Sequence, residues 1–592
     1  MCVRKRRPYL LLSALVFVSG CSGGGGSAAP PAPAATAKAT PAAAQGLASV
    51  TLKLAIPTGT STAGVRRAPA FVSPSTQSMS IVINGGTATN VNLTPGSPNC
   101  VVPNGGVLTC SATVNAPTGN DTFLVTLYSG TGGTGDVLAT KTLVQTVTAN
   151  ATNSIALVLN GVVSSISVTP ATLSAPAGVA TSLPLAVNAL DAQGNIIIGP
   201  GNYSDASGNA LTINLSAAQT VTTVQTPYAA GAATLSATTL TSPSAPLTVA
   251  YDGNALLSTQ FTATVTGGAA VAPASALLSI TPTIYEYPAA IAGGGPYSLT
   301  VGPDKQIWVT LFGVSSVEHF APPAPGASTL TATSFVMPDT NSQWALGIAA
   351  GSDGNMWIAS WGTEVFVCPL IGVGCSIIDI YEADHPEYVL DGGDGNMYVN
   401  QSYYTGPYRY SVSTQAFLLD FGDIGGGHRM SIGPDGRIWS AGGQEGCCYT
   451  PYIVALPTTT SGNQSVTEVG MGNDTTNIAV GSDGNIWYVQ SSAGVIGHLT
   501  SLTSNSLTGI TINVPAGPGL RGITAGPDNN IYFTEPTANN IGRALISATT
   551  PAGITEYPVP TANAGLIDII AGPDGNIWFV EDNANKIGKL AL

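Results

Sequence analysis

Gly565-Leu-Ile-Asp-Ile-Ile-Ala-Gly572, Pro573-Asp574-Gly575 and Asn576-Ile-Trp-Phe-Val580 read in order as an apolar strand, a tight Asp-Gly turn and a returning strand. A third run follows at Lys586-Ile-Gly-Lys-Leu590, and only Ala591 and Leu592 come after it. A four-stranded unit built here must therefore take its last strand from elsewhere in the chain.

The core string Gly-x-Asp-Gly-Asn-Ile-Trp recurs, with its acid at Asp304, Asp353, Asp394, Asp435, Asp483, Asp528 and Asp574. The spacings are 49, 41, 41, 48, 45 and 46 residues, the length of one four-stranded propeller blade. Four residues after each acid stands Trp308, Trp357, Tyr398, Trp439, Trp487, Tyr532 or Trp578, so five of the seven tryptophans fill one repeat position. A large ring at that position is what packing between radially stacked sheets requires. The recurring acids sit where an Asp-Gly turn needs them, so turn chemistry accounts for them without calcium. Ile284-Tyr-Glu-Tyr-Pro288, ahead of the first unit, matches Ile554-Thr-Glu-Tyr-Pro558 between the last two. The spacing predicts that this early segment closes the final blade and removes the ring's free edges.

The predicted fold is all-β: a seven-bladed propeller over 276–592, preceded by two β-sandwich domains over 47–161 and 162–275. From 276 onward there are 26 acidic and 8 basic residues, and this charge step sets the boundary near 275. Runs such as Val50 to Ile56 and Phe123 to Tyr128 alternate apolar and polar residues between turn signals, as in sandwich strands. Ile166-Ser-Val-Thr-Pro170 opens a segment that resembles bacterial immunoglobulin-like domains. Gly130, Gly132 and Gly135 spell G-x-G-x-x-G, but the β-branched run after them supports a hairpin loop rather than a dinucleotide site.

Arg4-Lys-Arg-Arg7 precede an apolar run from Tyr9 to Val18, an export signal over 1–20. Val18-Ser-Gly-Cys21 resembles a bacterial lipobox, which makes Cys21 the lipidation site. The Gly, Ala and Pro of 21–46 form a flexible tether. The expected location is the bacterial cell envelope, on the outer membrane or cell surface, with the membrane contacted through the lipid. With 31 acidic against 17 basic residues, nucleic acid is excluded as a partner, and a monomer is expected. In an oxidising compartment the remaining cysteines pair by proximity: Cys100 with Cys110, and Cys368 with Cys375. Cys447 and Cys448 form a vicinal disulfide or stay as thiols.

Gly522-Ile-Thr-Ala-Gly-Pro-Asp528, Asn530-Ile-Tyr-Phe-Thr-Glu535 and Ile554-Thr-Glu-Tyr-Pro-Val-Pro560 resemble the streptogramin B (virginiamycin B) lyase family of seven-bladed propellers. The resemblance covers about 310 residues. It implies magnesium-dependent elimination opening a macrocyclic lactone, with histidine and glutamate around the tunnel mouth. Counting back along each inner strand gives the mouth residues Tyr297, Leu346, Glu387, His428, Thr476, Arg521 and Ile567. His428, Glu387 and Arg521 are the candidate catalytic set, with His428 either the general base or a tunnel histidine without catalytic duty. Glu535 and Glu581, at the ends of second strands, are the candidate Mg²⁺ ligands. Arg521, across the strand pair from Glu535, would form an ion pair competing with the metal. The family's second mouth histidine has no counterpart, because Thr476, Arg521 and Ile567 stand at those positions. His319 and His498 fall in third strands, the latter at a solvated position. The sequence thus favours a mouth that binds a small molecule, glycan or peptide without breaking a bond, with lactone-opening lyase chemistry as the alternative.

Overall fold

The computed structural model describes residues 46–57, 72–102, 107–268, 270–338, 344–370, 374–379, 385–401, 407–420, 429–444, 450–458, 467–471, 474–499 and 509–592. The export signal, Cys21, almost all of the tether, His428, Cys447 and Cys448 lie outside them.

From Thr283 on, the strands group into seven four-stranded antiparallel sheets. Six take their strands in chain order, and in the seventh the order is Thr283–Pro288, Lys586–Ala591, Ile577–Glu581, Leu566–Ala571. Thr283 pairs with Ala591 and Pro288 with Lys586, so the earliest propeller strand is the outer strand of the last sheet. The inner strands pack each on the next, and the last on the first, which closes a β-propeller.

The repeat string explains each blade's base. Every recurring Asp accepts the backbone N–H two residues on, at 3.1 Å in blade 1 and 3.4 Å in blade 7. The same carboxylate also accepts the ring N–H of the repeat tryptophan at 3.0–3.2 Å, or the hydroxyl of Tyr398 and Tyr532 at 3.0 Å. The indole or phenol then lies so close over the first repeat glycine that a Cβ on Gly572 would sit 2.4 Å from the Trp578 ring. The second repeat position needs a left-handed backbone: Gly575 has φ 76°, and Lys305 and Asn529 accept φ near 60° in blades 1 and 6.

On its other face the aromatic ring meets the third strand. His319 stacks on Trp308 with centroids 4.1 Å apart, and His498 on Trp487 at 4.5 Å. His498 is buried, which corrects the expectation of a solvated position: an exposed ring would leave the indole face bare. Burial lowers the pKa of both histidines, against the pull of Asp304 and Asp483.

Residues before Thr283 build four sheets. Ala274–Thr281 pairs with Leu256–Thr266 and Thr172–Pro176, so the pairing partner changes between Thr281 and Thr283, a few residues beyond the 275/276 break read from charge. The charge step marks where acids begin, not where strands change sheets. Tyr203–Ser204 adds to the edge of the first unit's six-stranded sheet, and one apolar core runs from Val50 to Ala263. Disulfides join Cys100 to Cys110, which are cross-strand partners, and Cys368 to Cys375.

The second sandwich docks on the propeller face that carries the Asp-Gly turns. Thr223 N–H donates to Pro527 O and Gln225 N–H to Pro573 O, both at 2.8 Å. The Tyr285 hydroxyl donates to Ala177 O at 2.8 Å. The opposite face, where inner strands begin, is left for the site. Asp574→Ala removes the turn cap and orphans the buried Trp578 N–H. It is expected to cost about 1–3 kcal/mol in urea unfolding followed by tryptophan fluorescence, and Gly572→Ala is expected to destabilise in the same assay by displacing the ring.

Candidate functional site at the tunnel mouth

Each inner strand enters from the open face, and in five blades its first residues slip register against the second strand. The slips fall at Pro296/Leu299, Ala345/Ile348, Pro386/Tyr388, Thr475/Asn477 and Leu566/Ile569. Tyr297, Leu346, Glu387, Thr476 and Ile567 occupy these bulges. A bulge re-aims side chains, so the residue after the mouth position also reaches the axis in these blades, Ser298, Tyr388 and Asp568 among them; Arg429 of blade 4 reaches it as well.

A cavity of about 300 Å³ runs along the axis, walled by Ser298, Ile348, Tyr388, Met430, Ile478 and Thr524 from six inner strands. Arg429 and Asp568 bridge it. The Arg429 Nη1 donates to Asp568 Oδ1 at 2.5 Å and to Ile569 O at 3.2 Å. Asp568 Oδ2 accepts from Ser298 Oγ at 2.8 Å and from Leu299 N–H at 3.2 Å. One buried carboxylate thus ties blade 7 to blade 1 and reaches blade 4.

Above this bridge Glu387 and Arg521 converge on Tyr297. Burial, then the Glu387 charge, pushes the Tyr297 phenol up to about 12, while the hydrogen-bonded Arg521 guanidinium pulls it down. Tyr388 is raised well above its ordinary value by burial and by Tyr297, Asp568 and Glu387. Burial raises Asp582, and Arg521 opposes the shift. The structure therefore brings Glu387 and Arg521 together at the mouth, from blades 3 and 6.

Glu535 and Glu581 lie elsewhere. Glu535 shares a strand face with Phe533, which packs with Trp487 and Val514 in the seam between blades 5 and 6. Glu581 shares a face with Phe579 in the seam between blades 6 and 7. Arg521 turns to Tyr297 and Asp582 instead of the expected ion pair with Glu535, because the strand pleat sends Glu535 into the seam. Among the described residues no three His, Cys, Asp or Glu side chains gather where they could hold a metal ion. Two carboxylates in separate seams do not fit one Mg²⁺ site.

What the seam glutamates do is electrostatic. Burial, and then Glu556, raises Glu535 to about 7; burial, and then Glu286, raises Glu581 to about 8 against the pull of Lys586. Neither Glu581 carboxyl oxygen has a hydrogen-bond partner. Their outer-strand neighbours are satisfied: Glu556 accepts Ala516 N–H at 2.9 Å, and Glu286 accepts Thr561 N–H at 2.7 Å and Lys586 Nζ at 2.9 Å.

The sequence reading missed Asp568, Arg429 and Tyr388. The available signal was a charged or large polar side chain inside an otherwise apolar inner strand, one position past the mouth residue. In the unfolded chain Glu535 and Glu581 ionise near the ordinary carboxylate value, whereas the folded chain keeps their protons up to about pH 7 and 8. Stability is therefore expected to fall as pH rises from about 5 to 8. Glu581→Gln and Glu535→Gln together flatten that slope in thermal melts and raise Tm at pH 8; an undiminished slope contradicts the assignment.

Residues 430–592 match the Virginiamycin B lyase family. The match begins two residues after His428 and spans Arg521, Glu535 and Glu581. No curated protein matches the sequence. Similar solved structures include a streptogramin B lyase, 22% identical, covering 52% of this chain and 98% of that one with TM-score 0.45. A virginiamycin B lyase from Staphylococcus aureus is 20% identical, covering 53% and 100% with TM-score 0.44. The WD40 propeller domain of Doa1 is 9% identical, covering 50% and 93% with TM-score 0.39. With its closed ring and this match, the C-terminal half of the chain is a virginiamycin B lyase-like β-propeller.

Proposed function

We propose that the propeller is a recognition module whose open face binds a small molecule, glycan or peptide at the tunnel mouth, presented from the bacterial cell envelope by a lipid on Cys21. The observation that carries this reading is the convergence of Glu387, Arg521 and Tyr297 over a tunnel already spanned by Arg429 and Asp568. A carboxylate, a guanidinium and a phenol at one opening offer acceptors and donors of both signs, the small polar set that fixes a ligand's orientation in a concave site. Arg429 and Asp568 answer each other, so the tunnel below is a braced floor and not a passage. The sandwich on the opposite face holds the mouth outward, and the chain works as a monomer.

The family match favours one second reading, a lyase in which His428 takes a proton from the substrate and the lactone ring opens. In that reading His428 is the general base, and Glu387 and Arg521 position the substrate.

A streptogramin B lactone, titrated into the full chain by calorimetry with and without Mg²⁺, separates the readings. Binding without ring opening is expected, with Arg521→Ala weakening it tenfold or more, a loss of about 1.4 kcal/mol. Ring opening that disappears in His428→Ala establishes the lyase instead.

A further inference from the structure

Five of the seven tryptophans serve the repeat, and the two left over, Trp344 and Trp361, stand on the open face. Trp344 immediately precedes the inner strand of blade 2, and Trp361 follows the second strand of the same blade, with Trp361 N–H donating to Trp344 O at 3.0 Å. Phe312 holds the position in blade 1 equivalent to Trp361, donating its N–H to Gly295 O at 2.9 Å. His385 enters blade 3 with φ 65° and its N–H bound to Gly362 O.

These side chains form one chain of ring contacts. Tyr297 stacks on Phe312 with centroids 5.6 Å apart, Phe312 meets Trp344 at 4.8 Å, Trp344 meets Trp361 at 6.0 Å, and Trp361 meets His385 at 4.7 Å. The strip thus runs from the tunnel mouth outward over blades 1, 2 and 3. Trp344 is 41% exposed and the other four rings are half-buried. A run of linked rings that reaches solvent at Trp344 beside polar groups is a candidate binding surface. One end of this strip is Tyr297, where Glu387 and Arg521 converge.

We propose that this aromatic strip is the platform for a neutral oligosaccharide, its sugar rings stacked on Trp344 and Trp361 and its end held by Glu387 and Arg521. The inference rests on reading the mouth as a binding site and names the ligand class. A pyranose presents a C–H face that suits the negative face of an aromatic ring, while its rim of hydroxyls needs both acceptors and donors, which Glu387, Arg521 and the Tyr297 phenol supply. A bound peptide would use a free sheet edge or a groove for side-chain anchors. The blade edges here face outward from the ring, whereas the strip lies at the mouth and is built of aromatic rings. The excess of acids over bases from 276 onward, 26 against 8, disfavours anionic glycans.

The full chain, titrated with chitohexaose and with cellohexaose, is expected to show a saturable change in tryptophan fluorescence with at least one of them. Trp344→Ala, at an exposed ring, leaves the circular dichroism spectrum unchanged and raises Kd at least tenfold; Trp361→Ala does the same. Hexasaccharide binding that survives both substitutions overturns the platform. Absence of hexasaccharide binding while a streptogramin B lactone still binds overturns the glycan class and leaves the mouth as a binding site. Absence of both overturns the two readings together.

Discussion

The hydrogen bond between each repeat aspartate and the aromatic side chain four residues later is the constraint on which the propeller depends. One carboxylate closes the turn between inner and second strands and, at the same time, satisfies the polar end of a ring that is otherwise buried. A tryptophan N–H or tyrosine O–H placed in a packed seam without a partner is costly. With the aspartate present, the ring lies flat over the preceding glycine, and the neighbouring blade packs against it. Turn geometry, ring orientation and blade spacing are thereby set by one short interaction, used once per blade.

That arrangement makes the two faces of the ring unlike. On the turn face every blade is pinned by the same chemistry, and the second sandwich docks there through backbone hydrogen bonds to Pro527 and Pro573. On the other face nothing in the repeat dictates the residue, and the bulges let inner-strand side chains turn towards the axis. The inner-strand ends on this face are therefore free to vary from blade to blade. This is why Tyr297, Leu346, Glu387, Thr476 and Ile567 differ in kind although they occupy equivalent positions.

Periodicity made the scaffold legible. The spacing of the acids, the ring at the fourth position after each and the match between Ile284–Pro288 and Ile554–Pro558 were enough to place the strands and the closing segment. The mouth was only half legible, because residue counting located the bulge positions but a bulge adds a second inward residue that strict alternation assigns to the other side. Asp568 was lost in that way. Glu535 and Glu581 illustrate the reverse: they end strands at the open face, but the strand pleat turns them towards Phe533 and Phe579 and into the seams. His498 shows a third limit, since a position shared with Arg543 and Lys589 reads as solvated although each of the three side chains covers a repeat aromatic or its aspartate.

The acids of the propeller thus divide by environment, not by sequence. Those in the turns are held as acceptors by backbone and ring N–H groups. Those in the seams, Glu535 and Glu581, are buried beside a second carboxylate that is already engaged, and they keep their protons into the neutral range. Glu387 at the mouth stands near a guanidinium and two phenols, and Asp568 below it is matched by Arg429. A strongly acidic composition therefore does not produce a uniformly negative mouth: the cations of the ring are few, and Arg429 and Arg521 both stand on the axis. At the mouth, charges of both signs therefore stand beside aromatic rings instead of forming a single negative field.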